Sequence, residues 1–180
     1  KPGGVVAICG RQDLESSVID LSAADGTHGE LRVYGDDGPK TVQAGQTQGD
    51  QFGAGVYAQD INDDVFDEIL GSAYQADERP SPGEDEESTN EGEAYIIYGG
   101  DSLPTVIDLD TDGAITSENE TRFVGANEQD FAGWAVGAGD VTGDGVSDSL
   151  ITVNTANPLG RTRAGEAHLY NGGKNLSGNN

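Results

Sequence analysis

The sequence predicts an all-β protein built from repeated units of four short antiparallel strands. Three observations carry that expectation. Gly supplies 28 of the 180 residues, Met is absent and only 34% of residues are hydrophobic, so apolar residues fall in short runs between turn formers. No amphipathic segment of about ten residues or more shows the 3.6-residue period of a helix. The chain also repeats itself, and internal repetition sets the architecture before any single element does.

The elements follow in order. "GGVVAICG" (Gly3–Gly10) is an apolar run that holds the lone Cys9. One cysteine makes neither an intrachain disulfide nor a cysteine-based zinc site, so Cys9 reads as a small buried hydrophobe. "VIDLS" (Val18–Ser22) precedes "ELRVYG" (Glu30–Gly35). "GVYA" then leads into an acidic loop and "EILGSA" leaves it. "EAYIIYGG" follows a variable loop, and "TRFVG" (Thr121–Gly125) comes after "VIDLD" (Val106–Asp110). A second copy runs "WAVGA", acidic loop, "SLITVN", variable loop, "EAHLYNGG". Asp60 to Asp140 is 80 residues and Gly92 to Gly165 is 73, so the difference lies in the variable loop. Constant strands with variable loops mark a repeated supersecondary unit. Four short strands per unit with a recurring Gly pattern point to β-propeller blades. Residues 1–49 read as leading strands of an incomplete repeat, 50–128 as one repeat, and 129–180 as a second lacking its last strand. The expectation is an incomplete propeller, or part of an oligomeric or filamentous assembly. The chain starts with Lys1 and carries no signal-peptide pattern, which reads as a processed or partial product.

The acidic loops carry the clearest chemistry. An EF-hand needs Glu at loop position 12 and a helix afterwards. Position 12 is Gly71 counted from Asp60 and Ile151 counted from Asp140, so both loops fail that test. As nine-residue loops between strands they agree with each other. Positions 1, 3, 5 and 9 carry oxygen side chains: Asp60, Asn62, Asp64 and Glu68 in the first, Asp140, Thr142, Asp144 and Asp148 in the second. Position 7, Phe66 or Val146, offers a backbone carbonyl. Six to eight hard oxygens suit Ca2+, whereas soft metals lack Cys or His ligands here. Two Ca2+ sites are therefore expected, the second better formed because Gly145 eases a turn where the first loop has Val65. The plain alternative is a polar hairpin of turn-forming residues. "DLDTDGAIT" (Asp108–Thr116) also alternates acids, but its counterpart "DLSAADGTH" (Asp20–His28) does not, so it reads as a turn.

A formal charge of −24, from 33 acidic against 9 basic residues, argues against nucleic-acid binding. It suits cation binding and solubility in salty surroundings. No apolar run reaches the roughly 18 residues of a membrane helix. No catalytic constellation is visible. His28 and His168 lie in unrelated elements, no serine sits in a nucleophile elbow, and no Gly loop cradles phosphate. The expectation is a non-enzyme. Its partners would be other protein subunits or copies of itself, joined through edge strands. "EDEE" (Glu84–Glu87) and Arg161 with Arg163 occupy equivalent variable loops, either as partners or as two solvated loops. Sequons occur at Asn119 and Asn175.

"FGAGVYAQDINDDVFDEILGSA", "FAGWAVGAGDVTGDGVSDSLIT" and the downstream "GEAYIIYGG" resemble FG-GAP repeats, the blades of the integrin alpha-chain propeller and of many secreted bacterial proteins. The resemblance covers nearly the whole chain. It implies calcium on each hairpin, held at the ten positions named above, an extracellular or cell-surface location, and a role in adhesion or assembly. It leaves two rivals: a structural subunit of a surface filament, and an accessory propeller domain of a secreted enzyme. The Phe-Gly element falls on Phe52-Gly53, while Ala132 separates Phe131 from Gly133. "GSA" at Gly71–Ala73 stands where the family has Gly-Ala-Pro. Propellers of this family usually have about seven blades, more than 180 residues hold.

Overall fold

Short runs of β-branched and aromatic residues bounded by Gly pair readily as strands, and that is how this chain folds. The computed structural model describes residues 4–8, 30–36, 49–77, 89–109, 120–174 and 176. Among them lie β1 (Gly4–Ile8), β2 (Glu30–Tyr34), β3 (Val56–Gln59), β4 (Glu68–Ala73), β5 (Glu93–Ile97), β6 (Val106–Asp108), β7 (Glu120–Val124), β8 (Ala132–Gly139), β9 (Asp148–Val153) and β10 (Glu166–Tyr170). The described residues contain no α-helix, only a 3-10 turn at Pro158–Gly160. The all-β expectation holds, and each predicted strand is present. Cys9, His28, Glu84–Glu87, Asn119 and Asn175 lie outside the described residues.

The strands form three sheets, ordered β1-β2-β6, β3-β4-β5-β7 and β10-β9-β8. The middle sheet is a complete four-stranded antiparallel blade. The third has the first three strands of the same unit. The first holds the last two, since β1–β2 pairs Val6 with Arg32 just as β5–β7 pairs Tyr95 with Arg122. These are blades of an incomplete propeller.

One element differs from the sequence reading. "VIDLD" is not among the four strands expected of a unit, but Val106–Asp108 is a strand, parallel to β2 with Arg32 opposite Val106. Its alternation explains why. Ile107 is buried and continues, with buried Leu109, into the core that holds Leu31 and Val33, while Val106 and Asp108 face out. The segment between two blades thus stitches itself to the preceding one. Of the Asp108–Thr116 stretch, only Asp108 and Leu109 are described.

Two apolar layers hold the sheets together. Leu31, Val33, Ile107 and Leu109 pack against Phe52, Ala73, Tyr95 and Ile97 between the first sheet and the complete blade. Leu70, Ile96 and Tyr98 pack against Phe123, Val136 and Leu176 between the complete blade and the third sheet. Backbones approach closely at that second junction. A Cβ on Gly133 would stand 2.2 Å from the Glu93 carbonyl oxygen, and one on Gly92 would stand 2.3 Å from the Ala132 backbone. Only glycine fits.

The Phe-Gly elements diverge in place. The Phe52 ring is buried, meets Tyr95 edge-on at 5.7 Å, and lies where a Cβ on Gly71 would come within 2.6 Å. In the second unit Ile151 stands at the position of Gly71 and is itself buried, so no ring can enter. Phe131 turns instead to a partly exposed aromatic cluster with Tyr74 and Trp134. Ala132, which stands at the position of Phe52, and the bulky Ile151 at that of Gly71 are two halves of one change.

Replacing Phe52 with Ala is expected to destabilise by about 3–5 kcal/mol, the usual cost of emptying a buried aromatic site. Phe131→Ala should cost less than about half of that. Denaturant titration of both variants measures the difference; equal losses would contradict the packing described.

Candidate metal centres in two hairpin loops

Both acidic loops sit at the turn of a hairpin. Gln59 pairs with Glu68 and Gly139 with Asp148, so each loop spans positions 1 to 8 and position 9 opens the outgoing strand. The two loops share a backbone path. Positive φ falls at position 4 in both, 61° at Asp63 and 79° at Gly143, and again at position 6, 78° at Val65 and 93° at Gly145. Glycine takes that conformation freely and Asp tolerates it. A β-branched residue does not, and Val65 is 86% exposed, so no burial offsets its strain.

The hydrogen bonds coincide too. Asp60 Oδ1 accepts from Asp63 N–H at 2.8 Å and Asp64 N–H at 3.3 Å, and its Oδ2 from Val65 N–H at 3.1 Å. Asp140 Oδ1 accepts from Gly143 N–H at 2.6 Å and Asp144 N–H at 3.1 Å, and its Oδ2 from Gly145 N–H at 3.0 Å. Asp64 Oδ1 accepts from Phe66 N–H at 2.9 Å, as Asp144 Oδ1 does from Val146 N–H at 3.0 Å. Position 3 differs. Its backbone N–H bonds position 9 in both loops, but the Asn62 side chain turns to Asp64, donating through Nδ2 to Oδ2 at 2.9 Å and accepting from the Asp64 N–H at 3.1 Å, whereas the Thr142 side chain bonds Asp148.

Position 9 closes the loop and ties it to the next strand. Glu68 Oε2 accepts from Ile61 N–H at 2.7 Å and Asn62 N–H at 3.3 Å, while its Oε1 accepts from Gly99 N–H at 3.2 Å. Asp148 Oδ2 accepts from Val141 and Thr142 N–H at 2.9 and 3.0 Å, and its Oδ1 from Gly172 N–H at 3.0 Å. Both side chains are buried. Their electrostatics part company. Burial, reinforced by the Asp64 charge, pushes the Glu68 carboxyl above its ordinary value despite the backbone bonds. The Gly172 N–H, helped by those of Thr142 and Val141, holds Asp148 below the usual carboxylate range.

Thus Asp60, Asn62, Asp64 and Glu68 meet in one hairpin, and Asp140, Asp144 and Asp148 in the other. Phe66 and Val146 occupy position 7 of each. Among the described residues, no three acidic or imidazole side chains converge on a common point, because these carboxylates are turned onto backbone N–H groups. The donor set still fits a hard cation. Each carboxylate oxygen has two lone pairs, and the buried Glu68, with the like charge of exposed Asp64 beside it, favours a nearby positive charge.

Sequence reasoning missed the Gly pairs that end β5 and β10. Gly99 and Gly172 donate to position 9, and a Cβ on either would meet a backbone oxygen, Asp67 O at 2.5 Å or Ser147 O at 2.1 Å. Gly173 N–H also bonds the Ile61 carbonyl at 2.8 Å, and Lys174 lies 3.5 Å from Asp63, so the second unit reaches the first loop. The recurring "GG" was the available signal. His168 lies on exposed β10, with Nε2 3.0 Å from Glu166 Oε1.

An all-β stack of propeller blades with two matching acidic hairpins defines the class. Residues 132–170 match the family model for the FG-GAP repeat, so this stretch is similar to an FG-GAP repeat, and the complete blade repeats its strand pairing. No curated protein matches the chain.

Val65→Gly is expected to stabilise the protein by about 1 kcal/mol, relief of left-handed strain exceeding the glycine entropy cost. Gly145→Val should destabilise by about 1–2 kcal/mol. Thermal melts of the two variants check the pair; a loss of stability in Val65→Gly would refute strain at that site.

Proposed function

We propose that the protein is an extracellular calcium-binding FG-GAP module that serves cell-surface adhesion or protein–protein assembly, with calcium stabilising its blades. The observation that carries this is the backbone path and hydrogen-bond frame shared by two nine-residue loops, each with carboxylates at positions 1, 5 and 9 of its sequence. Asp60, Asn62, Asp64, Glu68 and the Phe66 carbonyl would hold one ion. Asp140, Thr142, Asp144, Asp148 and the Val146 carbonyl would hold the other. The ion supplies positive charge to clustered carboxylates, and binding only the folded loop links it to stability. Extracellular calcium modules work at a Kd of about 10⁻⁴–10⁻³ M, and an affinity of that order is expected of these loops. A charge of −24 adds long-range attraction for cations and repulsion that calcium would relieve. The FG-GAP repeat supports an adhesion or protein-contact role over catalysis. A second reading, a subunit of a larger surface assembly, is favoured by β10, all five residues of which are exposed.

Calorimetry with calcium, magnesium or chelator tests the metal claim. Calcium at about 100 times its Kd should add about 2.7 kcal/mol per site and raise Tm well above the chelated protein. Magnesium should do less. Asp60→Asn and Asp140→Asn should each remove about one site's share. Identical melting in calcium and chelator would defeat the proposal.

A further inference from the structure

The two strands in fourth position share a pattern, Glu-x-Arg-x-x-Gly: Glu30, Arg32 and Gly35 at β2, and Glu120, Arg122 and Gly125 at β7. In the complete blade the arginine has a partner. Arg122 stands opposite Tyr95 and 3.5 Å from the buried Glu93 carboxylate, which also accepts the Tyr95 hydroxyl. The other two sheets each hold half of this arrangement. On β10, Glu166 and His168 occupy the places of Glu93 and Tyr95, and among the described residues no strand pairs with the free edge. On β1, Gly4 occupies the place of Glu93. Arg32 is 7% exposed, and its Nε lacks a hydrogen-bond partner. One sheet has the acid without the arginine. Another has a buried arginine without the acid.

The exposed faces match in the same sense. Leu70 and Ile96 are 0% exposed because the third sheet covers them. Their equivalents on the third sheet, Leu150 and Leu169, stand side by side in register and are 40% and 41% exposed. In the complete blade, β7 contributes Phe123 to the covered layer; in the first sheet, β2 contributes Leu31 and Val33.

We propose that β10 of one copy takes the place of β1 beside β2 of a second copy, head to tail. The sheet β8-β9-β10 then gains β2 of the second copy as its fourth strand. The register of β5 on β7 sets His168 opposite Arg32, Ala167 opposite Val33 and Leu169 opposite Leu31. Glu166 pairs with Arg32, whose Nε is otherwise unsatisfied, as Glu93 does with Arg122. Because β2 already packs on its own complete blade, the same step lays Leu150 and Leu169 of the first copy against the complete blade of the second. Unpaired strand edges recruit strands in this way. The contact is heterologous, so it propagates as a ring or a filament. The inference rests on the propeller-blade part of the proposed function and not on its calcium sites.

Light scattering in calcium, over a range of protein concentrations, tests it with three variants. The unsubstituted protein is expected above the 18.6 kDa of one chain, its mass rising with concentration. Glu166→Arg, at an exposed position, should weaken assembly about tenfold or more. Arg32→Glu should do the same, and the two together should restore assembly. Should Arg32→Glu fail to fold, the Leu169→Cys, Leu31→Cys pair in a Cys9→Ser background reads the register directly: oxidation should give a ladder of covalent multimers. A monomer at every concentration without such a ladder would overturn the proposal, as would an assembly indifferent to Glu166→Arg. A monomer whose melting still depends on calcium counts against the strand exchange alone. An assembly whose melting ignores calcium counts against the metal sites alone.

Discussion

A buried carboxylate at the ninth loop position is the interaction on which each blade depends. Glu68 and Asp148 are 0% and 1% exposed, and a buried charge is costly without hydrogen bonds to every available lone pair. Each finds three backbone N–H donors, two from its own loop and one from the Gly that ends the third strand. One side chain therefore fixes the turn, the exit of the second strand and the end of the third. The Gly pairs exist because that closure brings backbone within contact of backbone. The apolar layers can then form, since Leu70 and Ile96 belong to strands whose ends are already pinned.

The two units reach the same frame by unequal means. The second loop uses Gly143 and Gly145 where the first uses Asp63 and Val65, so the first stores backbone strain that the second avoids. Across the sheet the advantage reverses. The first unit buries Phe52 over Gly71, whereas the second fills that slot from below with Ile151 and leaves Phe131 near the surface. Glu68 and Asp148 show the same inequality in charge, one pushed up by burial and the other drawn down by Gly172.

Much of this was legible because repetition turns one weak signal into two in register. The strands at Glu68–Ala73 and Glu93–Ile97, the nine-residue spacing of the loops and the awkwardness of Val65 could all be read from residue order. Three things could not. The parallel pairing of Val106–Asp108 depends on burying Ile107 against a strand about 75 residues earlier, and three residues carry too little pattern to announce that. The role of Gly99 and Gly172 depends on a contact distance that composition does not encode. The missing acid beside Arg32 emerges only when the register of β1 on β2 shows Gly4 where the complete blade has Glu93.

The most direct measurement of the central claim is amide hydrogen exchange, in calcium and then in chelator, at Ile61, Asn62 and Gly99 and at Val141, Thr142 and Gly172. These are the six N–H groups on the two buried carboxylates. In calcium all six should be protected far beyond the loop-tip amides. Removing calcium should lower protection within each trio together, since one side chain holds all three. Exchange at Gly99 or Gly172 independent of its loop partners would contradict the account, and so would protection of all six unchanged by chelation.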